Sequence, residues 1–370
     1  MSLTNAIVAG TPWQLMGAVT LVERVPGFSL QNTDLYLRMA FSGSREVAGR
    51  LAKMGFFRHV FTIGTSSEES LDARGSVRPG VPSPEDASVA IAAQIEAGDN
   101  SFGMAQRHSD GIDSLRRWLL DSYERVLCTY PYDTAIDLLA CSPDAVLELF
   151  DDGLGSYVGD ILGPFSLSLA PRLAAVYLCA PELSHNDLQV VPKKLPISFD
   201  DAELVGDLCR IFSVDSRELS IYHGWHIVYL TQPTDGMARR EVLDEQVAGI
   251  LLQHADDVVV RPHPRDARNH HAGLTYDMSS IPWELACMFG IVSDDSMLIA
   301  ECSTAQLTPR LLVGVQPRLV FLSEVLASES PSDLLSKERE LAGIIGSMYA
   351  EPSRVFTPAN VEELTRVLES

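Results

Sequence analysis

Three short clusters in this 370-residue chain combine residue types that can do chemistry. In Leu149-Phe150-Asp151-Asp152-Gly153 an apolar run leads straight into two carboxylates and then a glycine, which permits a tight turn. Adjacent carboxylates repel, so one of the pair can be held with a raised pKa and act as a general base. In Val258-Val259-Val260-Arg261-Pro262-His263-Pro264-Arg265-Asp266 an apolar run delivers a histidine between two prolines, with arginines on either side. Proline fixes φ, so the imidazole is held at a defined angle at small entropic cost. Arginine and histidine together suit a phosphate or carboxylate. The third cluster, Met297-Leu298-Ile299-Ala300-Glu301-Cys302-Ser303-Thr304, ends in two hydroxyls at the start of a helical segment, Ala305–Leu312, interrupted at Pro309. Hydroxyls and free backbone N–H groups at a helix start attract anions. Between the last two, Ile281-Pro282-Trp283-Glu284 reads as a helix start whose glutamate can also take the two hydroxyls of a ribose. Each cluster has a plain structural reading as well: an aspartate-capped turn, a rigid turn with exposed arginines, and N-capping by Ser303 or Thr304.

The elements that would position these residues alternate between short β-rich runs and helical patterns, the signature of parallel sheets with crossover helices. The first half predicts strands at Ala6–Ala9, Asp34–Arg38, His59–Ile63, Val126–Thr129, Val146–Phe150 and Ala175–Leu178. Helices are expected at Trp13–Val25, Ser44–Met54, Gly111–Tyr123 and Asp133–Ala140. Ser66–Asn100, rich in Ser, Gly, Pro and acidic residues, reads as a long loop with at most one helix near Ser83–Ala97. Two prolines around a charged pair in Val191-Pro192-Lys193-Lys194-Leu195-Pro196 read as an interdomain linker. Beyond it, helices are expected at Asp200–Ile211 and Arg240–His254, and strands at His226–Leu230, Asp257–Arg261, Gly290–Ser293, Met297–Glu301 and Arg318–Leu322. A last helix, Pro358–Leu368, has Thr357 as its cap candidate. The expected fold is α/β, with two Rossmann-like lobes of parallel sheet facing a central cleft: residues 1–190, residues 197–345, and a helical segment at 346–370.

Composition narrows the function. Length favours two domains, and 46% apolar residues suffice for packed cores. The net charge of −22 argues against a nucleic-acid partner, which needs clustered Lys and Arg. It also disfavours electrostatic docking on anionic lipid, and peripheral membrane contact and a homodimer stay open. No run of about 18 uncharged apolar residues occurs, and Ala6–Gly10 lacks the basic region that precedes a signal peptide's core, so a cytoplasmic location is expected. The six scattered cysteines form no C-x-x-C pair and read as free thiols packed as small hydrophobes.

Taken in order, the Asp-Asp-Gly turn, His-Pro, Pro-x-Glu and Ser-Thr resemble the motifs of the bacterial sialyltransferases, which include lipooligosaccharide sialyltransferases and polysialyltransferases. Gly10-Thr11-Pro12-Trp13-Gln14-Leu15 is also similar to the opening Thr-Pro-x-Gln-Leu turn of the lipooligosaccharide enzymes. The resemblance spans nearly the whole chain apart from Ser66–Asn100. It implies a GT-B fold and transfer of sialic acid from CMP-sialic acid, or a related nucleotide sugar, to a glycan acceptor such as lipooligosaccharide or capsule, without metal or other cofactor. It further implies that Asp151 or Asp152 is the general base and that His263 meets the departing phosphate. By the same carry-over Glu284 takes the ribose, Ser303 and Thr304 hold the phosphate, and Gly10 and Thr11 line the cleft near the sugar. Gly153, Arg261 and Arg265 join the nucleotide-sugar set. Two other readings keep the fold: a CDP-glycerol glycerophosphotransferase, and a non-catalytic nucleotide-binding relative. No H-x-x-E-H or D-x-D metal pattern accompanies the motifs, and the adjacent His270 and His271 would point to different sides. Transfer should therefore persist in EDTA. Loss of activity in the chelator, restored by magnesium or manganese, would overturn this.

Overall fold

The structure, a computed structural model, describes residues 4–63, 70–71, 77–78, 122–131, 133–186, 188–198, 200–231, 238–263, 271–301, 303–325 and 332–370. The helix expected near Ser83–Ala97, nearly all of that expected at Gly111–Tyr123, and both Pro264 and Arg265 lie outside these residues. The chain divides into two units, Met1–Phe212 and Ser213–Ser370.

The first unit is built on seven strands: β1 (Asn5–Ala9), β2 (Thr33–Arg38), β3 (His59–Ile63), β4 (Arg125–Cys128), β5 (Val146–Phe150), β6 (Leu173–Leu178) and β7 (Lys193–Lys194). They are all parallel and lie side by side as β7-β6-β5-β4-β1-β2-β3. Apart from β7 at its edge, this is the 3-2-1-4-5-6 order of a Rossmann sheet. Strands buried on both faces favour apolar side chains, and after the buried Asn5, β1 continues with Ala6, Ile7, Val8 and Ala9, all buried. Helix α1 (Pro12–Arg24) begins where β1 ends: Thr11 caps it by accepting from the Gln14 N–H, with Pro12 in the first turn. One turn on, Gly17 lets this helix close on the sheet, since a Cβ there would stand 3.0 Å from Phe150 Cδ2. Helices α2 (Ser44–Met54), α3 (Asp133–Cys141) and α4 (Ala202–Phe212) complete the crossovers and the exit from the sheet.

The second unit repeats the plan. Its strands are β8 (Ile227–Leu230), β9 (Val258–Arg261), β10 (Thr275–Tyr276), β11 (Met297–Ala300), β12 (Arg318–Phe321) and β13 (Val355–Phe356). They are parallel and ordered β10-β9-β8-β11-β12-β13, again 3-2-1-4-5-6 within the unit. Residues two apart share a sheet face, so Ile227 and Tyr229, Val258 and Val260, Met297 and Ile299, and Val320 and Leu322 form one apolar layer. Val247 and Leu251 of α5 (Ala238–Leu251) and Leu364 and Leu368 of the final helix Val361–Leu368 cover it. Two parallel Rossmann-like sheets are thus the architecture of the chain. Among the described residues no helix is long and apolar enough to cross a membrane.

Several boundaries differ from the sequence reading. The segment 191–196 carries an edge strand inside the first unit: Lys193 and Lys194 pair with Tyr177 and Leu178, and Leu195 is fully buried. Helix α4 stays with the first unit because Arg24 clamps Asp201 in two bonds (2.6 and 3.0 Å) and Arg50 donates to the Ile211 carbonyl (2.5 Å). The division comes after Phe212, at Ser213, a non-glycine residue in the left-handed region (φ 58°). Segment 346–370 is not separate, since Val355–Phe356 edges the second sheet and the last helix packs on its core. That helix is capped by Asn360, which accepts from the Glu363 N–H (2.9 Å), not by Thr357. Gly290–Ser293 forms no strand. Gly290 has φ 74°, and Ser293 closes a turn with Ser296, so two apolar residues between turns are all that remains.

Filling the notch at Gly17 tests the helix–sheet contact. Gly17→Leu should destabilise the protein by about 1–3 kcal/mol through overpacking against Phe150, read as a lower urea midpoint at unchanged slope.

Candidate functional site

Open parallel sheets bind ligands at the carboxyl ends of their strands, where the strand order reverses. In the first unit that point lies between β1 and β4, so the residues following Ala9 and Cys128 line it. Gly10 and Thr11 follow β1, Thr129 follows β4, and the Asp151-Asp152-Gly153 turn follows the next strand, β5.

The two aspartates differ sharply. Asp151 is 1% exposed. Its Oδ1 accepts from the Gly153 N–H (2.7 Å), and its Oδ2 accepts from the Cys179 N–H (2.9 Å) and the Tyr157 hydroxyl (2.5 Å). The carboxyl therefore locks its own turn, in which Gly153 takes φ 80°, and ties the end of β5 to the end of β6. Burial raises its pKa, and the three donors oppose this only in part. Asp152 instead keeps access to solvent. Its Oδ1 accepts from Gln14 Nε2 (2.9 Å), and its backbone N–H donates to Ser156 Oγ (2.8 Å). The packed surroundings push its pKa up to about 6. The Asp151 charge adds to the rise, and the Gln14 and Thr129 side chains pull against it. Water at the open edge of Asp152 moderates the effect of burial and leaves the direction upward. Of the pair, Asp152 combines an open carboxylate with a raised pKa, the two properties of a general base.

The structure gives Gln14 a larger place than the sequence did. Its Nε2 also donates to Thr129 Oγ1 (2.9 Å), and its Oε1 accepts from the Gly10 N–H (2.6 Å). One side chain thereby joins the segments after β1, β4 and β5. The Thr-Pro-x-Gln motif contained this residue, yet a glutamine in a first helical turn carries no chemical signal of its own. Thr11, assigned to the cleft, is an exposed helix cap.

In the second unit the order reverses between β8 and β11. His263 follows β9, half-buried, and its N–H donates to Thr231 Oγ1 (2.9 Å) at the end of β8. Arg261 is tied into its own unit. Its guanidinium donates to the Asp277 carboxylate and to the Ile281 carbonyl, and Tyr222 donates to the same Asp277 oxygen (2.5 Å). Burial alone would raise Asp277, but Arg261 and Tyr222 outweigh it and hold the carboxyl below its usual range. Arg261 thus braces the loop after β10 that leads into the helix Trp283–Met288. Glu284 stands half-buried in the first turn of that helix. The Trp283 indole donates to the Ala305 carbonyl (2.9 Å), which joins this helix to the Ser303-Thr304 turn after β11. There Ser303 and Gln306 form a capping box, with Gln306 anchored beneath to the Leu298 and Val320 carbonyls. Ser303 accepts from the Ala305 N–H, which leaves its O–H as a donor, and Thr304 is exposed. His263, Glu284, Ser303 and Thr304 therefore all stand beyond carboxyl ends of one sheet. Thr231, absent from the sequence assignment, holds the turn that carries His263.

No protein-family model and no curated relative matches the sequence. Among solved structures, a chain from Listeria monocytogenes described as a UDP-N-acetylglucosamine 2-epimerase is similar over 100% of this chain and 95% of its own, at 10% identity and TM-score 0.45. The spinosyn rhamnosyltransferase SpnG is similar over 99% of both chains, at 12% identity and TM-score 0.42. The calicheamicin glycosyltransferase CalG4 covers 100% of this chain and 99% of its own, at 10% identity and TM-score 0.42. The likeness is one of chain course.

The contrast between the aspartates sets a sign for stability. A carboxyl with a raised folded pKa stabilises the native state fully below its unfolded pKa, near 4. That contribution is lost as pH rises through about 6. Asp152→Asn removes the loss and keeps an acceptor for Gln14, so it should raise Tm at pH 7.5 by more than at pH 4. Asp151→Asn places an NH2 against either the Gly153 or the Cys179 N–H, and should cost about 1–3 kcal/mol at both pH values. Paired thermal melts of the two variants check both signs.

Proposed function

We propose that this chain is an inverting GT-B glycosyltransferase that moves a sugar, sialic acid from CMP-sialic acid in the sharpest form of the reading, onto a glycan hydroxyl. The observation that carries it is the placement of Asp152: an open carboxylate of raised pKa at the ligand-binding end of a Rossmann sheet, beside a buried twin that fixes its turn. In this reading Asp152 accepts the proton of the acceptor hydroxyl as that oxygen attacks the anomeric carbon. The bond from that carbon to the phosphate oxygen breaks, and the centre passes through an oxocarbenium-like state that attack from the opposite face inverts.

The second unit supports the donor half. A phosphate leaves readily once donors meet its growing charge. His263, the Ser303 hydroxyl and Thr304 are such donors, and all follow strand ends of one sheet. Glu284 supplies acceptors for the two ribose hydroxyls from a helix that Trp283 joins to the Ser303 turn. Arg261 acts one step back, shaping the loop before that helix. Asp151 takes no proton from the acceptor, because both of its oxygens are occupied by donors.

Purified protein, labelled CMP and CMP-sialic acid test the division of labour. Asp152→Asn should leave CMP affinity nearly unchanged and cut transfer by about two to four orders of magnitude. His263→Ala should weaken both binding and turnover, because the imidazole meets the phosphate in the ground state and more strongly as charge develops. Transfer at the wild-type rate by Asp152→Asn would remove the base assignment. Thermal stabilisation by UDP or CDP-glycerol, with none by CMP, would replace the donor.

A further inference from the structure

The geometry points to Gln14 as a positioning residue: its side-chain amide fixes the Asp152 carboxylate over the crevice between the ends of β1 and β4. The inference rests on the reading of Asp152 as the base. A primary amide has one carbonyl oxygen and two N–H donors. Here the oxygen accepts from the Gly10 N–H (2.6 Å), and the nitrogen donates to Thr129 Oγ1 and Asp152 Oδ1 (2.9 Å each). Gly10 N–H can only donate, so the amide oxygen must face it, and the NH2 must then face Asp152. Turning the amide over would set N–H against N–H at Gly10 and oxygen against carboxylate at Asp152, two mismatches at once. The orientation is therefore dictated by the backbone of the preceding strand end.

The Gln14 backbone is equally fixed. It sits in the first turn of α1, where Thr11 Oγ1 accepts its N–H (3.2 Å), and the close contact of Gly17 with Phe150 holds the next turn against β5. Asp152 is constrained from its own side by the bond from its N–H to Ser156 Oγ and by the turn that Asp151 locks. Its carboxylate therefore has a rigid partner and a rigid base, with its remaining edge open to solvent. Asp151 in the same turn and the Cys128 thiol at the end of β4 bear on its charge, and Arg38 at the end of β2 stands beside Gly10. The side-chain hydrogen bonds that favour its ionised form come from Gln14 and Thr129.

Two variants separate this from a packing role. Gln14→Glu keeps an acceptor for the Gly10 N–H and so preserves the tie to β1, but turns the donor facing Asp152 into a second anion. Gln14→Leu removes both. Carbon-13 NMR of aspartate-labelled protein, with Asp152→Asn identifying the signal, follows the Asp152 titration without any substrate. Its midpoint should rise by about one pH unit in Gln14→Leu and further in Gln14→Glu. The acid limb of the transfer rate should move by the same amount, with KM for the nucleotide sugar unchanged. An Asp152 midpoint that stays in place in the folded Gln14→Glu protein overturns the inference. Midpoints that shift in a wild-type background that transfers sugar from no nucleotide donor leave Gln14 as the residue that orients Asp152 and remove the glycosyl-transfer reading instead.

Discussion

The hydrogen-bonded carboxyl of Asp151 is the constraint on which the first unit's site depends. Three donors converge on it, from the turn that follows it, from the start of the next loop, and from a tyrosine six residues on. A buried carboxyl without such partners would be very costly, so once Asp151 is enclosed the chain around it has little freedom. The same hydroxyl of Tyr157 accepts from the Ala180 N–H, and the loops after β5 and β6 then run in parallel as Val158–Gly159 pairs with His185–Asn186. With that loop pair fixed, Asp152 has one direction left, toward the segments after β1 and β4. Gln14 meets it there.

The second unit solves a similar problem with the opposite charge. Arg261 ends β9 as Asp151 follows β5, and it too is enclosed and answered from several sides, by Asp277 and the Ile281 carbonyl. In both units the residue with the loudest charge at the strand end is enclosed by its partners, and a neighbour, the exposed Asp152 or the half-buried His263, follows it in the chain. The reason is common to both. A charged group next to a buried strand is safe only if its partners are built in, and a group so partnered is no longer free to bind anything else.

This explains what the sequence reveals and what it hides. Strands such as Val258–Arg261 and Val146–Phe150 are legible because a parallel sheet buried on both faces favours apolar runs, and the charge within Val146–Phe150, Glu148, is paired with Arg125. The carboxyl ends of such runs are where a ligand is expected, which is why Asp151, His263 and Ser303 stand out. Which of two adjacent carboxylates is buried depends on where Cys179 and Tyr157 lie, 28 and 6 residues away, and nothing in Asp-Asp-Gly encodes that. Arg261 reads as an anion ligand for the same reason, because its partner Asp277 lies 16 residues on with no local cue. The two-residue edge strands at 193–194, 275–276 and 355–356 are too short to show a period. The prolines around Lys193 suit a sheet edge, where a missing N–H faces no neighbour, as well as they suit a linker.

The two sets of ligand-end groups also differ in what they ask of the fold. Asp152 carries a charge into surroundings that disfavour it, and Gln14 and Thr129 offset only part of that penalty, since its pKa still lies above the ordinary carboxyl range. The Ser303 turn offers hydroxyls and backbone N–H groups, which have no charge to desolvate and are held by Gln306 bonds to two strands beneath. Of these two groups, the desolvation penalty falls on the Asp152 carboxylate. Relieving it by neutralising Asp152 leaves the fold's own ties, through Asp151 and Gly10, in place. A residue whose loss is expected to stabilise the protein while its neighbours' bonds persist contributes little to the fold, and that supports the proposal of Asp152 as a working group.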